Sequence, residues 1–197
     1  MVELVMINSG QEPQAMSILK RCLALMPGFF VKATLFGSSC IEESGGVTMI
    51  DIPYLGNFGY NIWMVREFPK YLSADHVVTM HVDGYILHPE KWMDEFLSYD
   101  YVGAPWGYHE WGGNGGFSLR SRKFCEWAAG HHKPISNGRV EDGYLCIDIF
   151  EDARSAGFSY SPKSVGSRFS YENELTSFPR TMNDVFGFHG KHNLDKL

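Results

Sequence analysis

The sequence has few cysteines and no pattern among them. Cys22, Cys40, Cys125 and Cys146 are widely spaced, with no CxxC pair and no close Cys/His set, which excludes a zinc ribbon and argues against a disulfide framework. They read as small buried hydrophobes of a reduced, cytoplasmic protein. No apolar run is long enough to span a membrane, and the opening MVELVMINSG has neither a basic region nor the apolar length of a signal peptide. Positive charge is also scarce: 17 Lys and Arg against 23 Asp and Glu give a net charge of -6, which speaks against a broad footprint for nucleic acid or anionic membrane. GxSxG, Walker A and GxGxxG elements are missing, so serine hydrolase, P-loop and Rossmann dehydrogenase readings lack their motifs. With no HExxH and no cysteine partners, His131-His132 and the pair His189 and His192 make no zinc site.

What is present is the material of one core. At 197 residues, 44% hydrophobic and 15% aromatic, the chain predicts a single α/β domain over 1–197, undivided by repeats, low-complexity tracts or linkers. Residues 2–8 predict a strand. Residues 13–26 carry Met16, Leu19, Leu23 and Met26 at helical spacing and stop at Pro27-Gly28. Further strands are expected at 29–36, 47–52 and 76–82, and a helix at 60–71. That alternation implies a largely parallel sheet with ligands at the carboxyl ends of its strands. Beyond Pro89 the expected elements are a short helix near 91–97, an extended segment at 101–106, a glycine loop, a strand at 117–120 and helices at 122–129 and 141–156. The sheet becomes mixed there, and 159–197 reads as loops and short strands closing over a site.

Asp83 stands at the end of the 76–82 strand and is followed by Gly84. A carboxylate there suits Mg²⁺ or Mn²⁺ beside a phosphate, and it equally suits a turn cap. His81, two residues earlier, falls on the same side of an extended chain. Glu141-Asp142 opens a predicted helix, where acids also stabilise the helix dipole by about 0.3–1 kcal/mol each. His189 lies in the aromatic-glycine loop 186–190, either as packing or as an imidazole ligand. In WGGNGGFSLRSRK, residues 111–123, glycine fills four of the first six positions. An Asn-Gly hairpin explains this locally, and so does the approach of something too close for a side chain. Arg120 and Arg122 read as solvated surface in preference to phosphate neighbours. Trp106 and Trp111, near glycine-rich loops, suit stacking on sugars or bases.

Taken in order, Tyr60-Asn61, HVDG at 81–84, DYVGAPW at 100–106, GNGGFSLRS at 113–121, Glu141-Asp142, FSYE at 169–172 and FGFHG at 186–190 resemble a poorly characterised DUF-type glycosyltransferase-like family with a GT-A fold. The resemblance implies a Rossmann-like α/β fold with a central mixed, mainly parallel sheet flanked by helices. Residues 1–105 would form the nucleotide-sugar-binding half and 106–197 the acceptor-binding and catalytic half. It implies a nucleotide-sugar donor, a UDP-sugar, with Mn²⁺ or Mg²⁺ against its diphosphate. His81-Val82-Asp83 stands where such enzymes carry D-x-D: Asp83 would ligate the metal, His81 would contact the ribose or the metal's water shell, and His189 would supply another ligand. Asn8 and Ser9 would meet the base and ribose. Asn61, Gly84, Asn114, Gly115 and Gly116 fall on the donor side, and Trp106 and Trp111 on the acceptor side. Asp142 is the expected base, with Glu141 the alternative, in an inverting displacement that begins as the base takes the acceptor's hydroxyl proton.

A glycan, a small molecule, a protein or a hydroxymethylated base in phage DNA fits as acceptor, the last disfavoured by the net charge. Two other functions share part of the pattern. A nucleotidyltransferase would want a basic phosphate loop where Ser9-Gly10-Gln11-Glu12 stands. A non-catalytic carbohydrate-binding module would use the tryptophans as platforms.

Overall fold

The computed structural model describes residues 1–8, 10–39 and 44–196. Six strands form one sheet: β1 (Val2–Ile7), β2 (Phe30–Gly37), β3 (Val47–Asp51), β4 (His76–Met80), β5 (Tyr101–Ala104) and β6 (Asn114–Ser121). Their order is β3-β2-β1-β4-β6-β5. The first four run parallel, and β6 is antiparallel to both its neighbours. This is the mixed, mainly parallel α/β sheet expected.

β1 lies at the centre and every one of its residues is buried, as a parallel strand covered on both faces requires. Alternation decides which core each side chain joins. Leu4 and Met6 pack with Met16, Leu19 and Val78, while Val5 and Ile7 pack with Trp63, Phe68 and Cys125. The first layer is supplied by α1 (Glu12–Leu25), whose Ala15, Met16, Leu19 and Cys22 are buried at three- and four-residue spacing. The second is supplied by α2 (Asn57–Arg66) and α3 (Arg122–Gly130). Glu3, on the apolar central strand, is 1% exposed. Its carboxylate accepts N–H bonds from Ser73 and Ala74 at 2.8 and 3.1 Å, fixing the entry to β4.

The helix expected at 60–71 is α2 followed by a 3-10 turn, Phe68–Tyr71, because Pro69 cannot continue the α-helical hydrogen-bond pattern. The expected helix at 91–97 is two 3-10 turns, Pro89–Lys91 and Asp94–Ser98. The helix expected at 141–156 is broken into α4 (Glu141–Gly143), a π-helical turn over Tyr144–Asp148, and α5 (Phe150–Ser155). Arg139 grips Asp148 with two hydrogen bonds of 2.8 and 2.6 Å, and Ile149 N–H reaches back five residues to Tyr144 O at 3.1 Å.

The C-terminal part is more regular than expected. It contains α6 (Lys163–Phe169), the short parallel strands β7 (Ser170–Tyr171) and β8 (Gly187–Phe188), and α7 (Lys191–Leu194). No described helix is long and apolar enough to cross a membrane. Cys22, Cys125 and Cys146 are buried free thiols. Cys40 and Ser9 lie outside the described residues.

Candidate active site

The site forms where β4 stops. After Met80 the chain turns through His81-Val82-Asp83-Gly84, with Gly84 N–H on His81 O at 3.1 Å and His81 N–H on Gly116 O at 2.9 Å. The C-terminal segment then lies across this turn. Phe188 N–H donates to Tyr85 O at 3.2 Å and Gly190 N–H to Asp83 O at 2.9 Å. Gly84 admits that crossing, since a Cβ there would stand 2.8 Å from Phe188 O.

The crossing delivers His189 to Asp83. Its Nε2 lies 3.6 Å from Asp83 Oδ1, and its Nδ1 lies 3.2 Å from Glu172 Oε1. The rings of His189 and His81 are 5.4 Å apart. His81, Asp83 and His189 offer ligand atoms that all fall within 4.8 Å of one another. Two imidazoles and a carboxylate form a donor set for a divalent cation. Glu172 behind Nδ1 turns Nε2 of His189 toward it, the usual carboxylate–histidine arrangement of metal sites. The backbone is cut away to fit, because a Cβ on Gly116 would run into the His189 ring.

The two histidines are tuned apart. Burial, then the neighbouring charge of His189, lowers His81 to about 4, so its imidazole is neutral. Burial also works to lower His189, but its hydrogen bond to Glu172 and the charges of Asp83, Glu172 and Asp142 raise it above the ordinary imidazole range. Tyr60 Oη lies 2.6 Å from His81 Nε2, and burial keeps that phenol protonated. If Nε2–H of His81 donates to Tyr60, Nδ1 is left with its lone pair for a cation.

Across the cavity stands the acid pair, at 4% and 6% exposure for Glu141 and Asp142. The surface assignment of Arg120 is wrong: it is 1% exposed, and its Nη2 lies 2.6 Å from Glu141 Oε1. Arg120 sits on an interior strand, and its charge is matched by a residue 21 positions on. Its Nε donates to Ser118 Oγ at 3.0 Å and its guanidinium lies 5.4 Å from the Tyr101 ring centre. Arg122 is half-exposed, beside Glu126. Glu141 Oε2 accepts Asp142 N–H at 2.7 Å, while Glu141 N–H donates to Asn61 Oδ1 at 2.9 Å.

Asp142 accepts Gly115 N–H at 3.0 Å and Gly143 N–H at 2.6 Å. Burial, followed by the charge of Glu141, raises Asp142 to about 6 despite those bonds. A carboxyl with that value is suited to taking a proton near neutral pH.

The glycine run thus has an internal explanation. β6 begins at Asn114, so Gly115 and Gly116 lie within the strand and no hairpin forms there. A side chain on Gly115 would strike Glu141 and Arg120, and one on Gly116 would strike His189. What approaches Gly115 and Gly116 too closely for a side chain is the protein's own set of ionisable groups, while Gly112 and Gly113 sit at φ +72° and +148°, backbone that favours glycine.

A cavity of about 470 Å³ joins these parts, lined by His81, Asn114, Gly116, Glu141, Asp142 and His189, with Asn61, Trp106 and Tyr108 toward its other walls. A second hollow of about 280 Å³, containing Asn8, Tyr54 and Asp83, meets it at Asn57, Tyr60 and His81. A hollow of about 670 Å³ around Arg66 and Glu126 is larger and holds none of these groups, so volume alone does not mark the site. Of the residues expected from sequence, Gly84 and Gly115 lie behind the walls. Trp111 does not line the cavity; it bridges to Pro162 and lies 5.8 Å from the Arg154 guanidinium. Sequence reasoning missed the roles of Arg120, Glu172 and Tyr108, though Glu172 fell inside the quoted FSYE stretch.

Residues 50–189 match the family described as "Protein of unknown function (DUF5672)". The chain belongs to the DUF5672 family. No curated protein matches it. Among solved structures, this DUF5672 chain resembles a glycosyltransferase involved in the glycosylation of the major capsid of PBCV-1, with a TM-score of 0.58, 15% identity, and 95% of this chain against 92% of that one. It also resembles the galactosyltransferase LgtC in complex with donor and acceptor sugar analogs, at 0.53 and 12%, covering 97% and 87%. A third match is apo GlyE of Streptococcus pneumoniae TIGR4, at 0.53 and 13%. There the chain covers 53% of the longer GlyE polypeptide. At these identities the likeness is one of fold, and the fold of this DUF5672 protein is that of GT-A glycosyltransferases.

Proposed function

We propose that the protein is a divalent-metal-dependent glycosyltransferase that moves a sugar from a nucleotide-sugar donor, a UDP-sugar, to an acceptor hydroxyl with inversion. The observation that carries this reading is the cluster His81, Asp83 and His189 at the end of β4, of which His81 and His189 line one cavity with Asp142 while Asp83 faces the adjoining hollow. The nucleotide would occupy the hollow beside Asn8 and Tyr54, in the half formed by residues 1–105. The donor sugar would lie beside Asn114 and Gly116 in the larger of the two cavities, whose lining comes from both halves. Mn²⁺ suits two imidazoles better than Mg²⁺ does, and when bound it would neutralise the donor diphosphate.

The protein's own groups supply the rest. Asp142, mostly ionised at neutral pH, takes the acceptor's hydroxyl proton as that oxygen attacks the anomeric carbon, and the bond from that carbon to the nucleotide diphosphate breaks, the diphosphate leaving with its electron pair. Glu141 is committed to Arg120 and to Asp142 N–H, so it orients the base and is not our choice for the base itself. Tyr60 orients the His81 ring. Nucleotidyl transfer is the weaker reading, because among the described residues no lysine or arginine lines either hollow.

The test is release of UDP from a panel of UDP-sugars with Mn²⁺, with and without acceptor, for the wild type and Asp142→Asn. The reading expects metal-dependent release that Asp142→Asn lowers by about 10²–10⁴-fold. Undiminished turnover by Asp142→Asn would remove Asp142 as base, and sugar binding without turnover would leave a carbohydrate-binding module.

A further inference from the structure

We infer that the acceptor is a neutral saccharide whose ring lies on the outer face of Tyr108; this rests on the glycosyltransferase reading and names the acceptor class for that site. Tyr108 lines the cavity yet is 76% exposed. Its ring is not loose. It stacks on Trp106 with centres 5.6 Å apart and planes 7° from parallel, and Trp106 in turn meets the edge of His109 at 6.4 Å. One face of Tyr108 is therefore occupied by Trp106, which leaves the other as a flat apolar surface with a preset orientation. A pyranose offers a matching apolar C–H face and a rim of hydroxyls, and a rigid aromatic ring binds such a face at small cost in side-chain entropy.

The polar groups beside this platform match a hydroxyl rim. The side-chain amide of Asn57 and the Nδ2 of Asn114 engage no protein group among the described residues, though Asn114 Oδ1 is held by Gly116 N–H at 2.7 Å. Amides both donate and accept, as sugar hydroxyls do. Asp142, the proposed base, borders the same cavity.

Charge decides against the anionic alternatives. Among the described residues the lining has two buried carboxyls, Glu141 and Asp142, and no lysine or arginine. Arg120, close behind, is taken up by Glu141, Ser118 and Gly115 O. A DNA acceptor, with its base tethered to phosphodiesters, needs cations free to meet phosphate, whereas Arg139, whose charge reaches Tyr108, is held by two hydrogen bonds to Asp148. Trp111, the other aromatic expected on the acceptor side, lies outside the lining.

The experiment is saturation-transfer NMR with methyl glucosides, methyl galactosides, maltose and lactose, and a short DNA duplex as comparison, on the wild type, Tyr108→Ala and Tyr108→Phe. Tyr108 is exposed, so neither substitution threatens the fold. At least one neutral sugar should bind, Tyr108→Ala should weaken it about tenfold, equivalent to 1.4 kcal/mol, and Tyr108→Phe should leave it unchanged. In turnover, Tyr108→Ala should raise the acceptor KM by the same factor, and Tyr108→Phe should restore it. Equal affinity in Tyr108→Ala, no saccharide binding, or tighter binding of the duplex would overturn the inference. Tyr108-dependent sugar binding with no turnover of any nucleotide sugar would keep the saccharide site and sink the transferase reading. Donor hydrolysis with no sugar bound would do the reverse.

Discussion

Replacing Glu141 with Gln should test the buried ion pair and the base assignment together. The Arg120 and Glu141 side chains are 1% and 5% exposed, with 2.6 Å between Nη2 and Oε1. Removing one charge strands the other, and breaking a buried pair in this way costs about 3–5 kcal/mol. Gln also turns an N–H₂ group or an oxygen, but not two acceptors, toward Arg120 and Asp142 N–H, which adds to the loss. Against a total stability of about 5–15 kcal/mol, the variant loses a large fraction and melts roughly 6–20 °C lower at 2–4 °C per kcal/mol.

The bound-proton consequence runs the other way. The charge of Glu141 raises Asp142 and that of Arg120 lowers it, so Glu141→Gln leaves Asp142 as the nearest counter-charge and brings it down from about 6. Urea unfolding would give the first quantity and the acid limb of the pH–turnover profile the second. The double variant Arg120→Met, Glu141→Leu should recover much of the lost stability. A loss below about 1 kcal/mol in Glu141→Gln, with no recovery in the double variant, would refute a desolvated pair.

Other substitutions address the remaining groups. Asp142 holds its proton in the folded chain up to about pH 6, against an ordinary value of 3.8, so stability should fall as pH rises through that window and stay lower above it, by roughly 3 kcal/mol at 1.36 kcal/mol per pH unit. Turnover should rise through the same window, and Asp142→Asn should abolish both dependences; an unchanged stability profile in that variant would place the titration elsewhere. Gly116→Ala should fold, because Gly116 has no positive φ, but its methyl displaces His189; Mn²⁺ affinity measured by calorimetry should drop by tenfold or more, and an unchanged affinity would show that His189 is no ligand. Trp111→Ala should leave acceptor KM unchanged, in contrast to Tyr108→Ala; a rise would restore Trp111 to the site.

Local signals carried the fold where strand faces and helix stripes were regular. β1, α1, β2, β3 and β4 could be read from apolar runs and from Pro27-Gly28, and Asp83 from its place at a strand's end. The misses are long-range in origin. Ser118 and Arg120 look like the solvent face of an alternating strand, yet β6 lies between β4 and β5 and its charge is met by Glu141 from the next layer. The serines and Gly166 of α6 suggest a loop, but a Cβ on Gly166 would stand 2.6 Å from Gly103 O, so that glycine serves helix-to-strand packing. Gly115 and Gly116 were recognised as positions of close approach, but nothing local shows that Glu141 and His189 do the approaching. Tyr108 carries no spacing signal and emerges only from its stacking on Trp106.

A metal-assisted nucleotide-sugar site at His81, Asp83 and His189 should be visible in thermal unfolding with a panel of nucleotide sugars, with and without Mn²⁺. A UDP-sugar at roughly 100 times its dissociation constant should add about 2.7 kcal/mol, or roughly 5–11 °C, only when Mn²⁺ is present and not in His189→Ala. No shift with any nucleotide sugar in either condition, or an equal shift in His189→Ala, would rule out a metal-assisted donor site at these residues.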